Sequence, residues 1–105
     1  MKDCIFCKIV AGEIPSERVY EDEHCIAFLD IRPVSKHHAL VIPKKHFENI
    51  FDIPVEQLAH VTRVVKNVVD MYREKHGMKN VRVTANSGAA AGQEVFHLHF
   101  HVIPH

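Results

Sequence analysis

Apolar positions along this chain fall into several short runs and one long stripe at helical spacing. Residues 4–11 fit a short helix stopped by Gly12, a residue suited to the position after a helix end. Ile14-Pro15-Ser16 is a connection. Arg18-Val19-Tyr20-Glu21 fits a strand, Glu21-Asp22-Glu23 a turn, and Cys25-Ile26-Ala27-Phe28-Leu29 its hairpin partner. Arg32-Pro33 opens a loop, and residues 38–42 form a third strand that Pro43 stops. Between Pro54 and His76, apolar side chains recur at Leu58, Val61, Val65, Val68, Val69 and Tyr72, the three-and-four spacing of an amphipathic helix. Lys75-His76-Gly77 gives that helix a cationic end and a stop. Residues 80–85 fit a fourth strand with Val81 and Val83 on one face. A small-residue loop over 86–93 leads to a last strand from Glu94 or Val95 to Ile103. The pattern predicts an α+β fold, with the long helix covering one face of an antiparallel sheet. Val64 and Met71 lie off the main stripe, so a homodimer burying them is expected.

The last run carries chemistry. In His97-Leu98-His99-Phe100-His101-Val102-Ile103, histidines alternate with apolar residues. On a strand, alternate residues share a face, so the three imidazoles would line up roughly 6.6 Å apart. Phe96, Leu98, Phe100 and Val102 would face a core on the other side. A helix would scatter the rings. Three imidazoles in register offer a nucleophile, a proton donor or a metal ligand.

With 105 residues the chain is expected to form one domain over 1–105. Thirteen basic and thirteen acidic side chains cancel, so bulk charge gives no reason to expect nucleic-acid or membrane-surface binding. No stretch is long and apolar enough to span a membrane. Met1-Lys2-Asp3-Cys4-Ile5-Phe6-Cys7 contains no signal-type apolar region. A cytoplasmic location with reduced thiols is therefore expected, and three cysteines argue against a disulfide framework. Ten histidines are the outlying count, and they point to site chemistry.

Cys4 and Cys7 have the spacing that can offer two thiolates to one metal ion. A redox pair or two small buried side chains would have the same spacing. No strand precedes them to build a thioredoxin-type unit, and downstream histidines could complete a Cys₂His₂ zinc site. Cys25 reads as core. His46, after the third strand, is a candidate ligand. His24, His37, His60, His76 and His105 read as surface residues. The small residues of the 86–93 loop would let backbone N–H groups approach an anion, although a plain connection fits equally well.

The whole set of segments resembles the histidine triad family. The triad motif matches His97 to Ile103. Cys4-Ile5-Phe6-Cys7-Lys8-Ile9, Ile14-Pro15, Tyr20-Glu21-Asp22, Ala27 to Ile31, Leu40 to His46, Asn86 and Gly92-Gln93 are similar to the Hint branch in the same order. The resemblance implies a five-stranded antiparallel sheet, one long helix, a short N-terminal helix and a homodimer. It implies an enzyme that hydrolyses purine nucleoside phosphoramidates and related substrates to an AMP- or GMP-like monophosphate.

By that resemblance His99 would be the nucleophile, forming a nucleotidyl-imidazole intermediate that water then hydrolyses. His101 would stabilise the phosphate, and His38 holds the family's additional active-site histidine position. Asp30 would bind the ribose, with Phe6, Phe28 and Ile31 around the base. Asn86, Gly92 and Gln93 would sit by the phosphate. Structural zinc would be held by Cys4, Cys7, His46 and His97. Two other readings are a zinc-stabilised nucleotide-binding module without turnover and a dinucleoside polyphosphate hydrolase. Many relatives carry a further segment beyond the position of His105 that shapes the leaving-group side. Glu94 stands where some carry a serine.

Overall fold

A computed structural model of the chain describes residues 3–105; Met1 and Lys2, at the start of the expected domain, lie outside the described residues. The elements run α1 (Ile5–Val10), β1 (Arg18–Glu21), β2 (Cys25–Leu29), β3 (Ala39–Pro43), α2 (Val55–His76), β4 (Val81–Thr84) and β5 (Phe100–Pro104). One turn of 3₁₀ helix, Ala89–Ala91, lies in the loop before β5. All strand pairs are antiparallel, in the sheet order β1-β2-β3-β5-β4. This is the expected α+β fold of five strands, one long helix and a short N-terminal helix. Among the described residues, no helix is long and apolar enough to cross a membrane.

The central strands are apolar throughout because both of their faces are covered. On β2 and β3, Cys25, Ala27, Ala39 and Val41 pack with Val61, Val64, Val65, Val68 and Tyr72 of α2. The alternate residues Ile26, Phe28, Leu40 and Ile42 pack with Phe6 and Ile9 of α1. Period-two alternation thus assigns each side chain to one of two cores. The valines of α2 disfavour an isolated helix by a few tenths of a kcal/mol each. Burying each one contributes about 1.5–3 kcal/mol, so packing decides the conformation. Gly77, at φ 64°, closes α2, with its N–H donated to the Tyr72 carbonyl.

Two expectations are corrected. Val64 is not spare surface: it is fully buried in the core, and Met71 is partly buried against the same cluster. The off-stripe argument for a homodimer therefore fails. The apolar surface that remains includes Val81 and Val83 on the edge strand β4.

The last strand is also shorter than expected, because it starts at Phe100, paired with Val41 of β3. Pro43 cannot donate to a ladder, and its carbonyl instead accepts the Nε2–H of His97 at 2.7 Å. The N–H of Leu98 goes to the Phe47 carbonyl at 2.7 Å. His97, in a bend, and His99 consequently precede the strand, and only His101 is in it. The alternation survives where it matters: Leu98 and Val102 are buried in the α2-side core. Phe96 is not core and is 38% exposed.

Candidate active site and metal cluster

The α1 end of the fold gathers four potential ligands. Cys4 is the N-cap of α1, its sulfur accepting the Cys7 N–H, so both thiols face one direction over the first turn. Cys4 Sγ lies 3.3 Å from His97 Nδ1, and Cys7 Sγ lies 3.3 Å from His46 Nδ1 and 3.5 Å from His97 Nδ1. A tetrahedral zinc, with Zn–S near 2.3 Å and Zn–N near 2.0 Å, would set sulfur and nitrogen ligands about 3.5 Å apart. Cys4, Cys7, His46 and His97 all place donor atoms within 4.8 Å of one another.

The His97 donor is also in the required chemical form. His97 donates Nε2–H to Pro43, which leaves the Nδ1 lone pair facing the thiols. Burial holds its pKa down at about 4, outweighing that hydrogen bond, so the ring is neutral. Burial and then Cys4 push the Cys7 thiol up to about 11. The Cys7 thiol therefore resists ionisation in this setting, and a bound cation would reverse that preference. The residues present therefore fit a divalent metal. A cleft of about 550 Å³, bordered by Cys4, His46, Glu48, Glu94, Val95 and Phe96, gives solvent access to them.

On the same side of the sheet, hydrogen bonds assign the tautomers of the other histidines. His99 donates Nδ1–H to the His97 carbonyl at 2.8 Å, which leaves Nε2 with a free lone pair. His38 Nδ1 accepts the Val34 N–H at 3.0 Å, so its proton is on Nε2. That Nε2–H is donated to His101 Nδ1 at 3.0 Å, which puts the His101 proton on Nε2. One unprotonated nitrogen and one N–H donor thus belong to adjacent rings, with the His99 and His101 centroids 5.1 Å apart. Burial lowers the pKa of all three. Asp30 partly opposes this at each ring, and Glu94 does so at His99. The Phe6 ring meets His99 edge-on at 5.1 Å and 90°, fixing its plane.

The remaining predicted positions divide. Asp30 lies at the end of β2, with Oδ1 accepting the Arg32 N–H at 2.9 Å and Oδ2 3.6 Å from His38 Nε2. Phe6 and Phe28 are buried against each other, so only their margins can border a ligand, while Ile31 is 91% exposed. Gly92 has φ 97°, and a Cβ there would lie 3.3 Å from Asn86 Nδ2. Asn86 donates weakly to the Gly92 carbonyl, at 3.5 Å.

Gln93 turns inward. Its Oε1 accepts from Asn49 Nδ2 and the Gly88 N–H, and its Nε2 donates to the Glu48 and Val95 carbonyls. Sequence reasoning missed Asn49, Ser35 and Ser87. Ser35 donates its hydroxyl to the Pro104 carbonyl, and Ser87 Oγ accepts the Ile50 N–H. No periodicity flags such loop-to-loop partners.

Comparison with known proteins identifies the family. The HIT domain family model matches residues 11–105. A HIT-like protein of Methanocaldococcus jannaschii is 50% identical over 101 residues, covering 96% of this chain and 78% of that one. The adenosine 5′-monophosphoramidase hnt1 of Schizosaccharomyces pombe is 46% identical over 101 residues, covering 96% of this chain and 73% of the relative. The crystal structure of a zinc-bound histidine triad family protein from Mycobacterium smegmatis superposes with a TM-score of 0.94 at 41% identity, over 98% of this chain and 75% of that one. The fold, the triad and these likenesses over almost the whole length establish that the chain belongs to the HIT family.

Proposed function

We propose that this protein is a nucleoside phosphoramidate hydrolase that works through a covalent nucleotidyl-His99 intermediate. The observation that carries the proposal is the tautomer assignment: a buried, neutral His99 with its Nδ1–H anchored and its Nε2 lone pair free. The His99 Nε2 lone pair attacks the α-phosphorus, an N–P bond forms, and the bond to the leaving amine breaks. The amine departs carrying a proton taken up from solvent. Acceptance of Nδ1–H by the His97 carbonyl stabilises the positive charge that develops on the ring. His101, held as an Nε2–H donor by His38, stabilises charge on the phosphoryl oxygens. Water then attacks phosphorus and gives up a proton to solvent, the N–P bond breaks, and the nucleoside monophosphate leaves with the His99 lone pair restored.

Asp30 binds the ribose hydroxyls, and the margins of Phe6 and Phe28 with Ile31 border the purine. Asn86 and Gly92 flank the phosphate, and Gln93 shapes that loop from beneath. Cys4, Cys7, His46 and His97 would hold a structural zinc. With four protein ligands and no open position, it would serve to fix the start of α1 and the segment leading to His99. A second copy pairing along edge strand β4 would cover Val81 and Val83. Reduced thiols in this site are consistent with a cytoplasmic location. The phosphoramidase activity named for the fission-yeast relative supports the substrate class.

The test is steady-state hydrolysis of an adenosine phosphoramidate against a diadenosine polyphosphate. Preference for the phosphoramidate is expected. Turnover of the polyphosphate alone would overturn the substrate assignment, and binding without turnover of either would overturn the enzyme reading.

A further inference from the structure

A second cluster of metal-ligating groups lies on the opposite face of the sheet from the triad, where the β1–β2 hairpin meets α2. It is built from Asp22, Cys25 and His60, whose donor atoms lie within 4.8 Å of one another. The hairpin turn organises it. Asp22 Oδ1 accepts the N–H groups of His24 and Cys25, each at 2.8 Å. That fixes the carboxylate and presents Oδ2 to His60 Nε2 at 3.1 Å. Cys25 is 1% exposed, so its thiol closes the floor of the cluster. The Asp22 and His60 side chains keep 29% and 28% of their surface exposed, which leaves a way in. At the rim, the His24 ring stands 4.7 Å from that of His60.

We propose that Asp22, Cys25 and His60 form a second binding site for a borderline-soft divalent cation of the zinc or cobalt type, with His24 or water in the fourth position. The mixed oxygen, nitrogen and sulfur set selects this class over magnesium or calcium, which require oxygen ligands. Binding releases the Cys25 thiol proton, and the His60 proton moves to Nδ1 so that Nε2 can coordinate. The Asp22 carboxyl is already in its anionic form: burial acts against it, but the His24 and Cys25 N–H donors and His60 together hold its pKa below the ordinary range. The bound cation ties the hairpin tip to α2 and stabilises the fold by mass action.

The experiment titrates cobalt(II) into zinc-loaded protein. It reads cations per chain by equilibrium dialysis and the sulfur-to-cobalt band in the near ultraviolet. Two cations per chain are expected, the second accompanied by the sulfur band. His60→Gln and Asp22→Asn, both at partly exposed side chains, should each lose the second cation and its thermal stabilisation while keeping the first. Cys25→Ser should lose the band. Cys4→Ser should impair only the first cation. One cation per chain in the parent protein would overturn the proposal. So would a second cation that persists in His60→Gln, because that cation would be held by other histidines.

Discussion

Replacing Gln93 by Ala separates two roles that the sequence alone left merged. The side chain is 4% exposed and makes four hydrogen bonds, at 3.1 Å to Asn49, 2.8 Å to Gly88, 2.7 Å to Glu48 and 3.1 Å to Val95. Each is worth about 0.5–1.5 kcal/mol net, and the partners left behind lose solvation as well. The substitution should therefore cost about 3 kcal/mol, a large share of the ~5–15 kcal/mol expected for a domain. At roughly 4–8 °C per kcal/mol, the midpoint should fall on the order of 10–20 °C. The assay is urea and thermal unfolding beside phosphoramidate turnover measured well below the variant's own midpoint. Loss of stability with most of the turnover retained is expected, because Gln93 acts on the loop from within. A stability change under ~1 kcal/mol, the cost of one typical hydrogen bond, with turnover abolished would refute this reasoning and place the amide on the phosphate.

Other substitutions probe the rest of the site. His97→Ala should lose the metal and lower stability by several kcal/mol, since it removes both a ligand and a buried hydrogen bond; metal analysis and unfolding with and without chelator check this. Burial holds the His38 pKa below 6.5, so its contribution to stability is full above pH 6.5 and is lost as pH falls through the lowered value. His38→Gln should make the fall in stability below pH 6.5 shallower by up to about 1.4 kcal/mol per pH unit, and an unchanged slope would show that His38 does not titrate this way. Asp30→Ala should weaken ribonucleotide binding far more than 2′-deoxynucleotide binding by calorimetry, whereas equal losses would remove Asp30 from the ribose site.

Much of this arrangement is legible in the sequence, for physical reasons. The stripe through Val61, Val65, Val68 and Tyr72 predicts α2 because only a helix puts those positions on one side. The apolar run of β2 reads as the hairpin partner of β1, while the cover that α1 gives its second face emerges only in the structure. The family resemblance implies Cys4, Cys7, His46 and His97 as ligands, and their donor atoms converge.

What escaped the sequence depends on partners distant in the chain. Alternation alone placed His97 and His99 in the last strand, whereas the Pro43 and Phe47 carbonyls draw that segment out of the ladder. Val64 looked spare because a stripe drawn through Val61 and Val65 omits the flank that β2 and β3 cover. The inward turn of Gln93 depends on Asn49 and Glu48, more than forty positions away. His60 read as surface because nothing in α2 announces the Asp22 carboxylate across from it.

The central claim is that the free Nε2 of His99 attacks phosphorus. Rapid quenching without acid during turnover of an adenosine phosphoramidate, followed by mass spectrometry of the peptide containing His97, His99 and His101, tests it most directly. A nucleotidyl adduct on His99 that forms and decays at rates matching turnover, and that is absent along with turnover in a folded, metal-loaded His99→Ala variant, is the predicted result. Near-native turnover in that variant, or an adduct located on a different side chain, would contradict the account.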